Sequence, residues 1–373
     1  MKNGWNTRPL GDVAAIAAGN SAPQDEALFK DGTIPFFRTS DAGRIRFGDI
    51  YEAKDYLNAR GAGDLRLFPK GTILFPKSGA STFLNHRVML GVSGCVSSHL
   101  ATIFADETQA DPRFLLYFLS TVRSQDLVQD HAYPSLSLTA ISEIQIHLPS
   151  VTEQQRIVSI LDQAFESIAT AKANAEKNLQ NARALFESQL QSIFSQRSDG
   201  WVEKPFGDCI DDVKYPVKVQ RRDFLPVGEY PIISQETEFI NGHWDRAADV
   251  FRVTTPVVIF GDHTRVLKYI DFDFVLGADG VKILRPKPFL IPKFFYFQLR
   301  GLSLKPLGYA RHYRLLREVQ IAFPDSAAQQ KIGDELEGLA AETQRLESIY
   351  QRKLTALDDL KKSLLHQAFS GNL

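Results

Sequence analysis

The chain contains the stretch Glu143-Ile144-Gln145-Ile146-His147-Leu148-Pro149 and repeats it, with changes, as Glu318-Val319-Gln320-Ile321-Ala322-Phe323-Pro324. Each copy runs directly into a long helical pattern, so the stretch marks a border between a globular part and a helix. Three further segments recur in the same order: Trp5–Asp12 as Trp201–Asp208, Ile34–Phe37 as Tyr230–Ile233, and Asp111–Phe114 as Ile291–Phe294. A repeat this long exceeds the roughly 20–50 residues of a solenoid unit. The chain is therefore predicted to contain one module in two copies. Because the shared motifs recur while the residues between them differ, we expect the two copies to recognise two different targets at a fixed distance.

Both helical patterns carry entry signals and an apolar seam. Pro149 blocks helix upstream of Ser150, and Ser150 and Glu153 have the spacing of a capping box. The first helix is predicted to start at Ser150 and to end at Asp199-Gly200. The second opens after Pro324, where Ser326 and Gln329 have the same spacing. Apolar residues recur at three and four positions, as a coiled-coil seam requires. The predicted seam includes Ile157, Leu161, Ile168, Leu336, Leu339, Leu346, Leu357 and Leu364.

The length of the two helices predicts that they pair with each other. A helix of about 44 residues is about 66 Å long at 1.5 Å per residue, and alone it would leave its apolar stripe in water. Burial of one stripe against the other is the simplest solution. The intervening domain and the duplication favour antiparallel pairing, with one globular module near each end of a rigid rod. In the alternative arrangement, each helix packs on its own domain.

The globular parts are predicted to mix helices and strands in an α+β fold with a pseudo-twofold internal repeat. The predicted boundaries are 1–149 and 200–325 for the two domains, and 150–199 and 326–373 for the helices. β-Rich runs between Gly, Asp and Pro turns predict strands at Thr72–Phe75, Pro256–Phe260 and Val281–Leu284. Aromatic runs after a proline predict short buried helices at Phe114–Leu119 and Phe294–Leu299.

Composition excludes several classes of protein. The formal net charge is −1, so no global basic field points to nucleic acid, although a local basic groove remains compatible with it. Cys95 and Cys209, the two cysteines, have neither metal-ligand spacing nor a disulfide framework. The start of the chain lacks the apolar core of a signal peptide, and no apolar run approaches the ~18 residues of a membrane span. We expect a cytoplasmic protein.

Motifs for catalysis and cofactor binding are absent from the sequence. There is no G-x-x-x-x-G-K-[S/T] phosphate loop, no G-x-G-x-x-G fingerprint, no adenine-methylase tetrapeptide, and no metal-ligand spacing among the histidines. The nearest approach to an acid–base pair is Asp262-His263, within Gly261–Arg265. Its counterpart in the first half, Pro76–Ala80, lacks both groups. An enzyme duplicated to act twice should keep its chemistry twice, so this loop is predicted to serve recognition, in a chain without catalysis or a cofactor.

Several motifs resemble the specificity subunit of type I restriction-modification systems. That family enters its long helix through "I-x-I-x-x-P … E-Q-Q-x-I", which is similar to Ile144–Pro149 with Glu153–Ile157 and to Val319–Pro324 with Ala328–Ile332. The closing helix Leu357–Gly371 is also similar, as is the opening of each half, which is of the Trp-x-x-x-Pro-Leu-Gly-Asp type with Phe206 in place of leucine in the second copy. The resemblance covers essentially the whole chain. In the second entry Ala328 replaces the family's glutamate, which predicts a different cap for the second helix.

The resemblance implies two target-recognition domains that read the two parts of an asymmetric, bipartite DNA site. It also implies that the paired helices dock two methyltransferase subunits, and that a restriction (translocase/endonuclease) subunit joins the complex. Methyl donor and ATP would then be bound by those partners, in agreement with the missing motifs. A spacer of about 66 Å exceeds one turn of duplex, ~34 Å, so it can separate two half-sites.

Reading bases requires short polar or forked side chains on loops that reach the major groove. The predicted DNA-binding residues of the first domain are Arg38, Thr39, Ser40, Arg44, Arg46, Lys77, Ser78, Ser81, Asn85 and Arg87. Those of the second are Lys214, Lys218, Arg221, Arg222, Gln235, Asp262, His263, Thr264, Arg265, Lys268, Arg311 and Arg314, with Glu236 nearby. Tyr133, Ser135 and Ser137, and His312 and Tyr313, hold similar places before each helix. For each residue, the alternative is a solvated surface side chain.

Two other functions remain open at the level of sequence. The first is a coiled-coil adaptor whose two modules bind proteins or small ligands. The second is a nuclease or methylase that acts without partners. Phosphate contacts make DNA affinity fall steeply with salt, which distinguishes the adaptor from a DNA reader. Activity of the pure chain with DNA, magnesium and methyl donor identifies the self-sufficient enzyme.

Overall fold

A computed structural model of the chain describes residues 5–197, 200–278, 280–302, 304 and 311–373. They form two compact units. Unit 1 comprises Met1–Asn174 with Lys353–Leu373, and unit 2 comprises Ala175–Arg352. Within the described ranges, no helix is both long enough and apolar enough to cross a membrane.

Unit 1 contains a mixed domain and parts of both long helices. Its strands are β1 Asn6–Pro9, β2 Ala14–Ala18, β3 Ile34–Phe37, β4 Phe47–Ile50, β5 Asp55–Leu57, β6 Leu67–Phe68, β7 Ile73–Pro76, β8 Arg87–Leu90, β9 Gly94–Val96, β10 Leu100–Ala105 and β11 Gln145–Leu148. Its helices are α1 Thr39–Ile45, α2 Ala59–Ala62, α3 Pro112–Thr121, α4 Leu138–Ser142 and the first part of α5, Val151–Ser195. The sheets have the orders β2-β10-β7-β8-β4, β5-β3-β9-β6 and β1-β11.

Unit 2 repeats this plan with fewer elements. Its strands are β12 Val202–Pro205, β13 Ile210–Asp211, β14 Lys218–Val219, β15 Tyr230–Ile233, β16 Gly242–Trp244, β17 Val257–Gly261, β18 Leu267–Ile270, β19 Val275–Gly277, β20 Val281–Pro286 and β21 Gln320–Phe323. Its helices are α6 Phe206–Cys209, α7 Pro292–Gly301, α8 Tyr313–Arg317 and the first part of α9, Ser326–Phe369, with the remainder of α5. The sheets have the orders β13-β20-β17-β18, β14-β19-β15-β16 and β12-β21.

The repeated opening and closing sequences pair with each other in both units. β1 is antiparallel to β11, with Asn6 opposite Leu148 and Pro9 opposite Gln145. β12 is antiparallel to β21 in the same way, with Val202 opposite Phe323. The first strand of each domain therefore pairs with the strand that leads into the long helix. This pairing explains why the opening and the closing motifs are both repeated.

The two long helices run antiparallel within each unit. In unit 1 the start of α5 meets the end of α9: Ala368 lies in one buried cluster with Ile157 and Leu161, and Lys172 bonds Asp358 at 2.7 Å. In unit 2 the end of α5 meets the start of α9, where Leu190 and Leu336 share a cluster. The predicted fold class, two mixed domains with antiparallel paired helices and an internal repeat, is confirmed.

The helices pack on the domains as well as on each other, so features of both predicted arrangements occur. In unit 1 the Phe369 ring of α9 lies 5.2 Å from the Phe114 ring of α3. In unit 2 the Phe194 ring of α5 lies 5.5 Å from the Phe294 ring of α7. Among the predicted seam residues, Ile157, Leu161, Ile168 and Leu336 are buried, and Leu339, Leu346, Leu357 and Leu364 are half-buried.

The two helix entries are capped differently. The Ser150 hydroxyl accepts the Glu153 amide at 3.4 Å, as the capping box predicts. At the second entry, the Asp325 carboxylate accepts the Ala328 amide at 2.8 Å, so the cap lies one residue before the predicted Ser326. The end predicted at Asp199 lies outside the described residues, and α5 is described as far as Ser195.

Candidate nucleic-acid interface

In both domains a β-hairpin lies among the residues that are predicted to bind DNA. In unit 1 strands β7 and β8 pair antiparallel and are joined by residues 77–86. In unit 2 strands β17 and β18 pair antiparallel and are joined by residues 262–266. Each hairpin is held in its sheet by a third antiparallel strand, β10 or β20. The two loops therefore occupy equivalent places in the repeated frame.

In unit 1 the hairpin loop lies against the segment that precedes α4. The Gly79 amide donates to the Pro134 carbonyl at 2.9 Å, and the Leu136 amide donates to the Lys77 carbonyl at 2.8 Å. These bonds bring together Lys77, Ser78 and Ser81 with Tyr133, Ser135 and Ser137, a group we call surface 1. The Ser137 hydroxyl caps α4 by accepting the Ala140 amide at 3.0 Å.

Helix α1 carries the other predicted residues of unit 1. Thr39 and Ser40 form its first turn, and Ser40 is exposed. The Arg38 guanidinium bonds Asp55 at 2.6 Å, and Arg44 donates to the Glu52 carbonyl at 2.8 Å. Exposed Arg46 ends the helix at φ 68°, and its carbonyl accepts the Arg87 amide at 2.9 Å. The helix therefore adjoins the root of the hairpin.

Asn85 and Arg87 support the hairpin from inside. The Asn85 side chain accepts the Ser124 amide at 2.8 Å and donates to Gln125 at 2.9 Å. The fully buried Arg87 guanidinium lies 3.5 Å from the centre of the Phe75 ring and donates to the Ser124 hydroxyl at 3.0 Å. Burial lowers the pKa of Arg87 to about 9. We leave both residues out of the proposed DNA interface, because these contacts hold segment 122–126.

In unit 2 the hairpin loop lies against the segment that follows β15. The Gln235 side-chain oxygen accepts the His263 amide at 3.2 Å, and its carbonyl accepts the Thr264 hydroxyl at 2.6 Å. Arg265 is exposed at the loop tip with φ 62°, and its guanidinium donates to the Leu304 carbonyl at 2.9 Å. We call Gln235, His263, Thr264 and Arg265, together with Arg311 and Arg314, surface 2.

Asp262 joins this hairpin to the segment before α9. Its buried carboxylate accepts the Tyr313 amide at 2.7 Å. Its carbonyl accepts the amide of His312, also buried, at 2.8 Å. Arg311 and Arg314 flank this junction and are exposed. Asp262 therefore positions the loop, and the exposed arginines stand beside it.

Lys268 is buried beneath surface 2. Its ammonium donates to the Asn241 side chain at 2.9 Å and to the Phe239 carbonyl at 3.3 Å, and also to the Glu238 carbonyl. Burial lowers the pKa of Lys268 to about 8, against the opposing effect of the Glu236 and Glu238 carboxylates. We leave Lys268 out of the proposed interface, because it holds segment 238–241.

The remaining predicted cations of unit 2 have separate surroundings. Arg221 lies 3.4 Å from Glu236, beside surface 2. Lys218 donates to the Val281 carbonyl at 3.2 Å, Arg222 lies 3.7 Å from Asp223, and Lys214 is exposed. Glu236 follows Gln235, so its contact with Arg221 places Arg221 next to the segment that lies against the hairpin loop.

Sequence reasoning missed three residues at surface 1: Phe83, Leu84 and His131. Leu84 is exposed on the hairpin loop, and the Phe83 ring packs on the His131 ring. The available signal was an apolar Phe-Leu pair inside an otherwise polar loop. Over the described part of the chain, no group of three or more His, Cys, Asp or Glu residues is arranged to hold a metal ion.

The first part of the chain matches a known protein family. Residues 2–180 match the model described as Type I restriction modification DNA specificity domain. This part of the chain is therefore similar to type I restriction-modification specificity subunits, the family that the sequence motifs resemble. The type I restriction enzyme MjaIX specificity subunit of Methanocaldococcus jannaschii is 26% identical over 173 residues, which is 45% of this chain. The match covers 39% of that relative's length.

Two solved structures share the fold along the whole chain. One comes from a study of complex assembly and conformational transition of the type I R-M system, with a TM-score of 0.79, 18% identity, and coverage of 100% of this chain and 99% of that one. The other is the HsdS subunit from Thermoanaerobacter tengcongensis, with a TM-score of 0.62, 16% identity, and coverage of 100% and 98%. At these identities the likeness establishes the fold.

Proposed function

We propose that this chain is the DNA-binding, non-catalytic subunit of a type I restriction-modification complex, and that it reads an asymmetric bipartite site. The domain of unit 1 reads one half-site and that of unit 2 reads the other. One observation carries the proposal: the frame repeats a hairpin and its neighbouring segments, while the side chains presented there differ. A repeated frame with different contents fits two unlike half-sites.

The chemistry of the two surfaces supports unlike targets. Surface 2 presents an amide, a hydroxyl and guanidinium groups at Gln235, Thr264 and Arg265. Amides pair well with adenine and guanidinium groups with guanine in the major groove. Surface 1 presents the hydroxyls of Ser78 and Ser135, the ammonium of Lys77 and the ring of Tyr133. Residues of α1, including Ser40 and Arg46, extend it.

The long helices support the rest of the proposal. The boundary between the units falls inside both α5 and α9, so both connections are helical, which favours a single length of gap between the half-sites. We further propose that these helices dock two methyltransferase subunits and that a restriction subunit joins them. Those partners would supply methyl donor and ATP, in the cytoplasm.

Arg265→Ala tests the assignment of the second half-site. Loss of one bidentate base contact costs about 1–3 kcal/mol, so we expect roughly 10-fold weaker binding to the full site. Sequence preference should relax in the half-site read by unit 2 and stay unchanged in the other. Competition binding with duplexes altered in one half-site measures both effects.

Arg252→Ala is the matched control, because Arg252 is an exposed arginine of the same unit that lies outside the predicted DNA-binding residues and bonds Asp273 at 2.7 Å. It should retain the wild-type preference in both half-sites. An equal loss of preference in both half-sites for Arg265→Ala would contradict the assignment. Binding of the wild-type chain that does not weaken with salt would favour a protein-binding adaptor instead.

A further inference from the structure

We propose that surface 1 contains a base-stacking cleft, where Tyr133 stacks on one nucleobase of the half-site read by unit 1. The inference rests on the proposed function and adds to it the part of the DNA, a nucleobase, that this domain would bind by stacking. Direct hydrogen bonding to base edges does not require such a ring. Stacking requires an accessible aromatic face with a cleft beside it. A base of the duplex must also leave its own stack to reach the ring, a cost in free energy that contacts in the cleft have to offset.

A cleft of about 580 Å³ lies between the hairpin loop and segment 131–135. The rings of Phe83 and His131 pack together in its lining, with centroids 5.5 Å apart and planes tilted by 34°. Tyr133 and Pro134 line it as well, together with Ser78. The volume exceeds that of a single base.

The rim of this cleft is apolar and open to solvent. The Tyr133 side chain is 82% exposed. One exposed ring is ordinary on a protein surface. Here the exposed ring lines an apolar cleft on the loops that carry the predicted DNA contacts. Covering the ring with a planar base removes apolar area from water, which is favourable.

Two features of the cleft favour a nucleobase as its occupant. First, aromatic residues line the cleft together with Ser78 and Ser135, which matches a base with its apolar face and polar edge. Second, backbone bonds from Gly79 to Pro134 and from Leu136 to Lys77 fix the two walls to each other. The cleft is thus already formed before a ligand binds.

Tyr133→Ala and Tyr133→Phe test the proposal in the full chain with its recognised duplex. Stacking on one base is worth a factor of about 10 to 100 in affinity. We expect that loss for the alanine variant and a change of less than about threefold for phenylalanine, which keeps the ring. With 2-aminopurine at successive positions of the unit 1 half-site, one position should change its emission when wild type or Tyr133→Phe binds. The emission should stay unchanged with Tyr133→Ala.

Tyr51→Ala, which removes another exposed tyrosine of unit 1, should bind like wild type, and thermal melting checks the folding of every variant. Stacking would be overturned if Tyr133→Ala bound DNA as tightly as wild type, or if both Tyr133 variants weakened binding equally. The proposed function would remain intact in either case, provided that the wild-type chain binds its site. Loss of methyltransferase association with unchanged DNA binding would assign the cleft to a protein and would also overturn the inference. A wild-type chain that binds no specific site would overturn the proposed function itself.

Discussion

At the residue scale, the side chains around the two hairpins have two different tasks. Arg265, Arg46 and Ser40 face solvent. Arg87, Lys268 and Asp262 are buried and bind neighbouring backbone or side-chain groups. The exposed group is accessible from solvent, whereas the buried group fixes the loops that carry it. A preformed surface of this kind reduces the ordering that binding must overcome.

Arg87→Ala should destabilise unit 1. The substitution removes the donor to the His86 carbonyl at 2.8 Å and to the Ser124 hydroxyl, and it leaves a cavity over Phe75. A loss of this kind costs about 3 kcal/mol of unfolding free energy. Urea denaturation measures it. Arg46→Ala, at an exposed arginine nearby, should change the free energy by less than about 0.5 kcal/mol; similar values for the two variants would contradict the structural role of Arg87.

Lys268 predicts a dependence of stability on pH. Burial lowers its pKa in the folded chain to about 8 from the ordinary lysine value of 10.5, so between these two pH values the unfolded chain binds more protons. The unfolding free energy contributed by this residue therefore rises as pH increases from about 8 to 10. Denaturation at pH 7.5 and 9.5 should show a larger rise for wild type than for Lys268→Met. An identical rise in both proteins would contradict the assignment.

Sequence patterns could not separate these two groups of residues. Arg46 and Arg87 are both arginines beside polar turns, and no periodicity distinguishes them. Their difference arises from Phe75 and Ser124, which the fold brings to Arg87 from distant positions. The hairpin loops could be predicted as candidate sites from the sequence, because their polar residues change within a repeated frame. The aromatic cleft was not, because Phe83 and His131 meet through tertiary packing.

At the element scale, a buried glutamine locks each long helix to its domain. The Gln154 side chain accepts the Asp111 amide at 2.8 Å and donates to the Gln109 and Pro149 carbonyls. Gln329 does the same with the Ile291 amide at 2.8 Å and with the Phe289 and Pro324 carbonyls. The shared Gln-Gln of the two helix entries thus has a structural reason. The sequence predicted both helices, but it placed the second cap at Ser326. Asp325 and Ser326 can both cap a helix, and residue spacing alone does not show which of them does.

Gln154→Ala should weaken this attachment. It leaves one buried amide and two carbonyls without the side-chain partner, at a cost of about 2–3 kcal/mol. Amide hydrogen exchange should show faster exchange at Asp111 and lower protection in the first turns of α5. Gln155→Ala, at the exposed neighbour, should leave both unchanged. Equal exchange in the two variants would indicate that Gln154 does not hold the helix.

At the scale of the whole molecule, each unit combines a domain with segments of both long helices. The duplicated motifs predicted two domains and two helices, because strand, turn and helix signals are local. The pairing of β1 with β11, and of β12 with β21, was not predicted, since it joins segments at opposite ends of each domain.

Methylation mapping tests the central claim most directly. A host that carries this chain with its methyltransferase partner is compared by long-read sequencing with the same host lacking this chain. We predict methylated adenines within one asymmetric motif of two unlike parts, separated by a non-specific gap of a single length, and none of this methylation without the chain. A continuous or palindromic motif, or the same methylation in its absence, would contradict the account.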